Sequence, residues 1–251
     1  MAGDRPEPNI YTIAAHRGFA DALVAGLVPR YSEGDLGLAR LTLLVPSSRA
    51  ARTISEAFTR HTGQTGQAGM LLPRMVTVGD LDLDEALGAL LDPLGANDIA
   101  PAVEPTRRWL ELARLIDIEL EALGKPPLPG AARLRLAREV ARAMDRLLVE
   151  EKTPDDLMSE GVLGMLGDLS EHWQRSIALF ARLQARWLSR LEERGEIDAA
   201  TRRNQLFERA RRRWRETPPE TPIVAAGVTS ASPALARMLR ANADLPTGAV
   251  L

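Results

Sequence analysis

Residues 41–58 read LTLLVPSSRAARTISEAF: an unbroken apolar run, a proline, two serines, then an arginine-bearing pattern of helical period. A continuous apolar run is what a strand buried on both faces of a parallel sheet needs. After Ser48, the positions Ala50, Ile54, Ala57 and Phe58 fall on one stripe, as an amphipathic helix requires. Strand, polar turn and helix in that order form the repeating unit of an α/β sheet. The turn of Pro46, Ser47, Ser48 and Arg49 is where chemistry would sit. Its serines can serve as helix caps or as contacts to a ligand, and the stretch read alone leaves both open.

Outward from this unit, the same alternation recurs. NIYTIAA (9–15) is β-rich, and HRGFADALVAGLVPRY (16–31) carries Phe19, Leu23, Gly26 and Leu27 at helical spacing. A third strand is expected in RMVTVGDL (74–81), after a loop rich in Gly, Gln and Thr. From about Leu83 to Arg215 the period is helical, interrupted by KPPLPG (125–130) and KTPDDL (152–157). In the second interruption Thr153 is placed to cap a helix, with a proline and two acids in its first turn. Strand character returns in IVAAGV (223–228), followed by a short helix in SPALARMLRANADL and a further buried strand beginning in GAVL. The expected organisation is an α/β domain begun by residues 1–85, a helical insertion over 86–216, and a return to the sheet over 217–251. A domain seldom stops midway into an interior strand, so the native polypeptide is expected to continue beyond Leu251.

Composition narrows the function classes. Of the 251 residues, 45% are hydrophobic and 26% charged, enough apolar content to bury a core. Only 4% are aromatic, so that core must rest on Leu, Ala and Val. No apolar run approaches the roughly 18–20 residues that span a bilayer, and the first ten residues lack the apolar centre of a secretory signal. With no cysteine, a disulfide framework and a cysteine-ligated metal are both excluded within this sequence. A cytoplasmic protein without a membrane partner is expected. The net charge of −2 gives no general attraction for nucleic acid. The basic residues are almost all arginine, Lys125 and Lys152 being the only lysines. A high-GC genome produces that bias unaided; a role in phosphate binding is the other reading, since guanidinium forks match phosphate geometry.

The search for catalytic constellations returns little. A phosphate-binding loop needs glycines for the backbone to wrap phosphates, then Lys and Ser or Thr; here Ala15-His16-Arg17-Gly18-Phe19 stands in that place. Lys152-Thr153 follows two glutamates and reads as a helix cap. His16, His61 and His172 show no metal-ligand pairing, although His16 and Arg17 together, ahead of a helix, form a conceivable phosphate contact. The acids at Asp80, Asp82, Asp84 and Glu85 suit a helix start better than a metal site. Ser230 and Ser232 have no histidine nearby and fit a turn before a helix. The arginine-rich stretch 202–216, with Trp214, is either a nucleic-acid surface or a solvated helix face with Leu206 and Trp214 packed inward.

Taken together, LTLLVPSSRAARTIS resembles the second strand and following turn of superfamily-1 DNA helicases, where an Ala-Ala pair such as Ala50-Ala51 opens the next helix. ALFARLQARWLSRLEERGEIDAATRRNQLF resembles their helical insert, with Gly195, Ile197 and Asp198 at the link between two helices. Where an active motor carries its magnesium-binding acids, this chain has Ala225-Ala226-Gly227. YTIAAHRGFADALVAGL, LLVPSSRAAR, LLPRMVTVGDLDLDEAL and PIVAAGVTSASPALARML are together similar to the N-terminal region of the AddB family, alphaproteobacterial type, of AddAB helicase–nucleases. The resemblance implies a P-loop-NTPase-like parallel sheet, a degenerate helicase domain with a large all-helical insertion. It implies a non-catalytic module for DNA double-strand break repair and recombination, partnered by the motor subunit AddA and by single- and double-stranded DNA. It places DNA contacts at the turn Ser47, Ser48 and Arg49, with Arg52 one helical turn on; His16 and Arg17, read from the residues as a phosphate contact, join them as candidate DNA contacts. It implies no cofactor in this stretch, an iron–sulfur cluster and magnesium belonging to a nuclease region beyond Leu251. Two other readings stand beside it: a purely structural brace for the motor and nuclease, and an unrelated enzyme holding a phosphorylated small molecule at the His16–Arg17 turn.

Overall fold

The complete burial of residues 41–45 organises the sheet: Leu41, Leu43, Leu44 and Val45 are all fully buried. The computed structural model describes residues 7–34, 36–66, 69–79, 98–157, 159, 161 and 171–251. Strand β1 (Thr42–Val45) lies between β2 (Arg74–Thr77) and β3 (Ile223–Ala225), and β4 (Gly248–Val250) follows β3. The order β2-β1-β3-β4 is parallel throughout. Thr42 pairs with Arg74 on one side and with Ile223 on the other. The pairing continues past the strand ends, since the Val78 N–H donates to the Val45 carbonyl (2.8 Å) and the Ala226 N–H to the Leu44 carbonyl (2.9 Å). The protein is thus α/β, with a four-stranded parallel sheet and mostly helix elsewhere.

Contacts divide the chain into two units, Met1–Ala96 with Gln205–Leu251, and Asn97–Asn204. In the first unit, helix α1 (Phe19–Tyr31) buries Leu23, Val24, Leu27 and Val28. Helix α2 (Ser48–Thr65) buries Ile54, Ala57 and Phe58. These side chains share one apolar cluster with Leu43, Val45 and Val224, while Leu44 and Ala225 lie outside it, as alternation along a strand demands. Ser47 caps the start of α2 and Gly66 its end, the latter at a φ of 68° in the left-handed conformation that favours glycine.

The opening strand is the clearest correction. Residues 9–15 form no strand; they contribute a single parallel bridge, Ile10 to Val250, on the outer edge of β4. The Tyr11 N–H donates to the Val250 carbonyl and the Val250 N–H to the Asn9 carbonyl. Ile10 and Tyr11 are exposed, so the β-rich composition finds one paired edge and no second face to bury. The strand expected at 74–81 appears as β2, that at 223–228 as β3 and the terminal GAVL as β4. The acids of residues 80–85 lie outside the described residues.

The second unit is built from α3 (Pro105–Ala122), α4 (Gly130–Val149), α5 (Pro154–Leu157), α6 (Glu171–Arg194) and the first turns of α7 (Ala199–Glu216). Leu112, Leu115, Ile116, Ala137, Met144 and Trp187 form its core. Thr153 does cap α5: the Asp156 N–H donates to its hydroxyl, and its own N–H and hydroxyl donate to the Asp156 carboxylate, both at 2.7 Å. A buried guanidinium, Arg108, lies 2.6 Å from Asp145 and 2.9 Å from Asp198. The Trp187 indole N–H also donates to Asp198, at 3.1 Å. Burial pushes the Asp198 carboxyl above the usual carboxylate range, against the pull of Arg108. Gln184, 1% exposed, has no hydrogen-bond partner for either amide atom among the described residues.

The later part of α7 belongs with the sheet. Leu206, Phe207, Ala210 and Trp214 are buried, so Trp214 offers no stacking surface and the helix-face reading of 202–216 holds. Glu208 gathers Arg211, Arg212 and Arg237. Among the described residues no helix is long and apolar enough to cross a membrane.

Two predictions come from these polar groups. A buried amide without partners costs about 1–3 kcal/mol, so Gln184→Met is expected to raise the midpoint of thermal unfolding; an unchanged or lower midpoint would refute it. The Glu208 carboxyl is pushed down to about 2 from its ordinary 4.5, chiefly by the Arg211 hydrogen bond. A depressed carboxylate contributes stability above its unfolded pKa, and that contribution fades as pH falls toward the folded value. Glu208→Gln is therefore expected to melt lower than the parent at neutral pH, with the difference vanishing near pH 2. A difference independent of pH would show that the charge is irrelevant.

Candidate functional site

The sheet order dictates where a ligand would sit. From β1 the chain passes through α2 to β2 on one side; from β3 it passes through α8 (Pro233–Ala243) to β4 on the other. Connections leaving adjacent parallel strands in opposite directions open a crevice at the strands' carboxyl ends, the usual ligand position of open α/β sheets. A cleft of about 490 Å³ occupies that position, within the range of small-molecule sites.

Three segments wall it. The end of β1 and the start of α2 contribute Pro46, Ser47, Arg49, Ala50 and Thr53. The start of α1 contributes Gly18, Phe19, Ala20 and Asp21, and the end of β3 contributes Ala226 and Gly227. The Ser47 hydroxyl accepts the Ala50 N–H at 3.3 Å and so caps α2. The Thr53 hydroxyl donates to the Arg49 carbonyl at 3.1 Å. Asp21, the carboxylate of the cleft, is held by Arg60 through two hydrogen bonds of 2.7 and 3.1 Å. Arg49 and Arg52 are exposed, and neither forms an ion pair among the described residues. What remains is an apolar slot with a guanidinium at its rim, and no described lining residue is a free acid or base. Among the described lining residues, the groups that could meet a ligand's charge are the Arg49 guanidinium and the Arg60–Asp21 pair.

Of the expected site residues, Ser47 and Arg49 line the cleft. Ser48, at the first position of α2, and Arg52 are exposed and are not part of its lining. His16 and Arg17 lie exposed in the turn before α1, where the Arg17 N–H donates to the Ala14 carbonyl, and they also do not line it. Sequence reasoning missed Phe19, Asp21, Thr53, Arg60 and Gly227. Arg49, Thr53 and Arg60 recur on one face of α2, a signal that was present in the helical spacing. The approach of Phe19 to Gly227 joins segments far apart in the chain and leaves no local trace. Among the described residues no group of His, Asp or Glu side chains is arranged to hold a metal ion.

Comparison with protein-family models gives no match, and comparison with curated proteins gives none either.

Gly227 carries the cleft's back wall in a conformation reserved for glycine. Its φ is +73°, and a methyl group there would stand 3.2 Å from the Phe19 ring. Gly227→Ala is expected to destabilise the protein by about 1–3 kcal/mol from backbone strain and to change the environment of Phe19. Chemical denaturation, with Phe19 followed by ring-resolved NMR, reads both. Unchanged stability with an unmoved ring would contradict this account of the wall.

Proposed function

We propose that this chain is a helicase-like module without a working motor, of the AddB type, which handles a DNA strand and docks a motor subunit of the AddA type in double-strand break repair. In this reading the parallel sheet is a degenerate P-loop-NTPase sheet, and the helices between β2 and β3 are its insertion. The observation that carries the reading is the chemistry of the switch-point crevice. The turn after β1 keeps a hydroxyl and a cation at the rim. The positions at the end of β3 that would hold magnesium are Ala225 and Ala226, both fully buried.

Phosphoryl transfer relies on a phosphate-gripping lysine and a metal held by carboxylates. The Ala15–Phe19 turn has no lysine, and the end of β3 has no acid. Among the described residues of the cleft, a triphosphate's charge would meet Arg49 and the already neutralised Arg60–Asp21 pair. The chain contains no cysteine, so it holds no cysteine-ligated cluster itself. Contacts to DNA would then be phosphate contacts, which set position without reading sequence, and the module would work in the cytoplasm beside its partner subunit.

The test combines turnover and binding. The purified chain is expected to hydrolyse no ATP and to bind a single-stranded oligothymidylate weakly. The affinity should fall with salt, along a slope that Arg49→Ala with Arg52→Ala makes shallower by about 1.4, two phosphate contacts at ~0.7 each. ATP turnover abolished by a substitution in the cleft would overturn the inactive motor. Binding indifferent to the arginine pair would leave a structural brace as the better reading.

A further inference from the structure

The helical unit holds a row of cations that its own packing does not require. Arg182, Arg186, Arg190 and Arg194 follow one another on α6 at intervals of one helical turn, facing two acids of α3. Arg182 Nε donates to Glu119 at 3.0 Å, and Arg186 Nε lies 2.8 Å from the other Glu119 oxygen. Arg194 lies 2.6 Å and Arg190 3.9 Å from Glu111. The two glutamate side chains are buried, 3% and 8% exposed, whereas the four arginine side chains remain 34% to 53% exposed.

Two buried carboxylates need two cations, and four are present. Arg107, also near Glu111, is engaged by Glu196. Glu192 and Glu193 are exposed near the C-terminal end of α6, so the surplus charge is concentrated at Arg182 and Arg186. Arg182 is hydrogen-bonded through Nε and Arg186 is ion-paired through Nε, so the contacts seen on both leave the terminal nitrogens for another acceptor. Once one cation compensates a buried carboxylate, a second guanidinium that stays half-exposed adds little further stability.

We propose that this arginine row is a second phosphate-binding track, taking the backbone of a nucleic-acid strand along α6. Residues a turn apart advance about 6 Å, while a DNA strand presents a phosphate every ~3.4 Å of helix rise, so the row spans several phosphates. A regular polyanion of tetrahedral groups suits pre-set guanidinium forks; an acidic peptide offers no such fixed repeat. The inference rests on the reading given under Proposed function only for its choice of DNA as the polyanion.

The test uses the whole chain, a labelled oligothymidylate and a salt titration. Arg182→Gln with Arg186→Gln is expected to make the slope of log affinity against log salt shallower by about 1.4, whether or not Arg49 and Arg52 are present. Because that variant strips Glu119 of its partners, Glu119→Gln supplies the opposite perturbation: it frees both arginines and is expected to tighten binding. An unchanged slope in the folded double variant overturns the track, as does Glu119→Gln without tighter binding. Competition by poly-glutamate as effective as an oligonucleotide of equal charge also overturns it, in favour of an acidic protein partner. If the row matters and the Arg49–Arg52 pair does not, the track stands and the turn's role in DNA handling falls. If the pair matters and the row does not, the reverse holds.

Discussion

The pairing of β1 on both of its edges is the constraint from which the first unit follows. Four residues with no exposed backbone and no polar side chain beyond Thr42 can exist only if every N–H and carbonyl finds a neighbouring strand. Parallel neighbours on both sides then force crossovers, and crossovers require helices above and below. Once β2 lies to one side and β3 to the other, α2 and α8 must leave in opposite directions. The crevice between them is therefore a consequence of topology before it is a consequence of any functional residue. Gly79 shows how tightly the ends are drawn together: a methyl group there would fall 2.1 Å from the Pro46 carbonyl oxygen.

The helical unit solves a different problem with charge. Its core is aliphatic with one large aromatic, Trp187, and the indole N–H is satisfied by Asp198. That carboxylate is fully buried, a costly position unless compensated. Arg108 compensates it and spans to Asp145 on α4, so a single guanidinium joins α3, α4 and the link into α7. The Gly195–Asp198 link, marked in the sequence by resemblance, is thus held by two independent contacts in addition to the Ala102–Ile197 bridge. Removing one member would strand the others in an apolar setting, which makes the group a specificity device as much as a source of stability.

The fold was legible wherever hydrophobic period and burial coincide. β1, α2 and the long helices are readable because each must bury one face along its whole length. The cap at Thr153 was readable because the capping chemistry is local. The segment 9–15 was misread because β-rich composition reports what a residue tolerates; whether a partner edge is available is decided by β4, which lies more than two hundred residues away. The site divides along the same line. Ser47 and Arg49 were found from the turn that follows a buried strand, whereas Asp21 with Arg60, and Phe19 with Gly227, are pairs created by the approach of separate elements.

The arginine bias shows why composition alone cannot say what a given arginine does, whereas its surroundings show which partners it has. A genome-wide preference would scatter arginines without regard to partners. Here Arg108 and Arg202 are absorbed by structure, one in a buried ion pair and the other on the carbonyls of Ile99 and Ala100. Arg60 closes the cleft by neutralising Asp21. Arg182 and Arg186 share one carboxylate, and Arg49 stands at a crevice rim with no ion pair among the described residues. Counting the buried acids that each arginine serves sorts the same residue type into mortar and surplus. Arg49 stands on α2 and Arg182 with Arg186 on α6, helices that also carry buried core residues, Ile54 and Phe58 in one and Leu183 and Trp187 in the other.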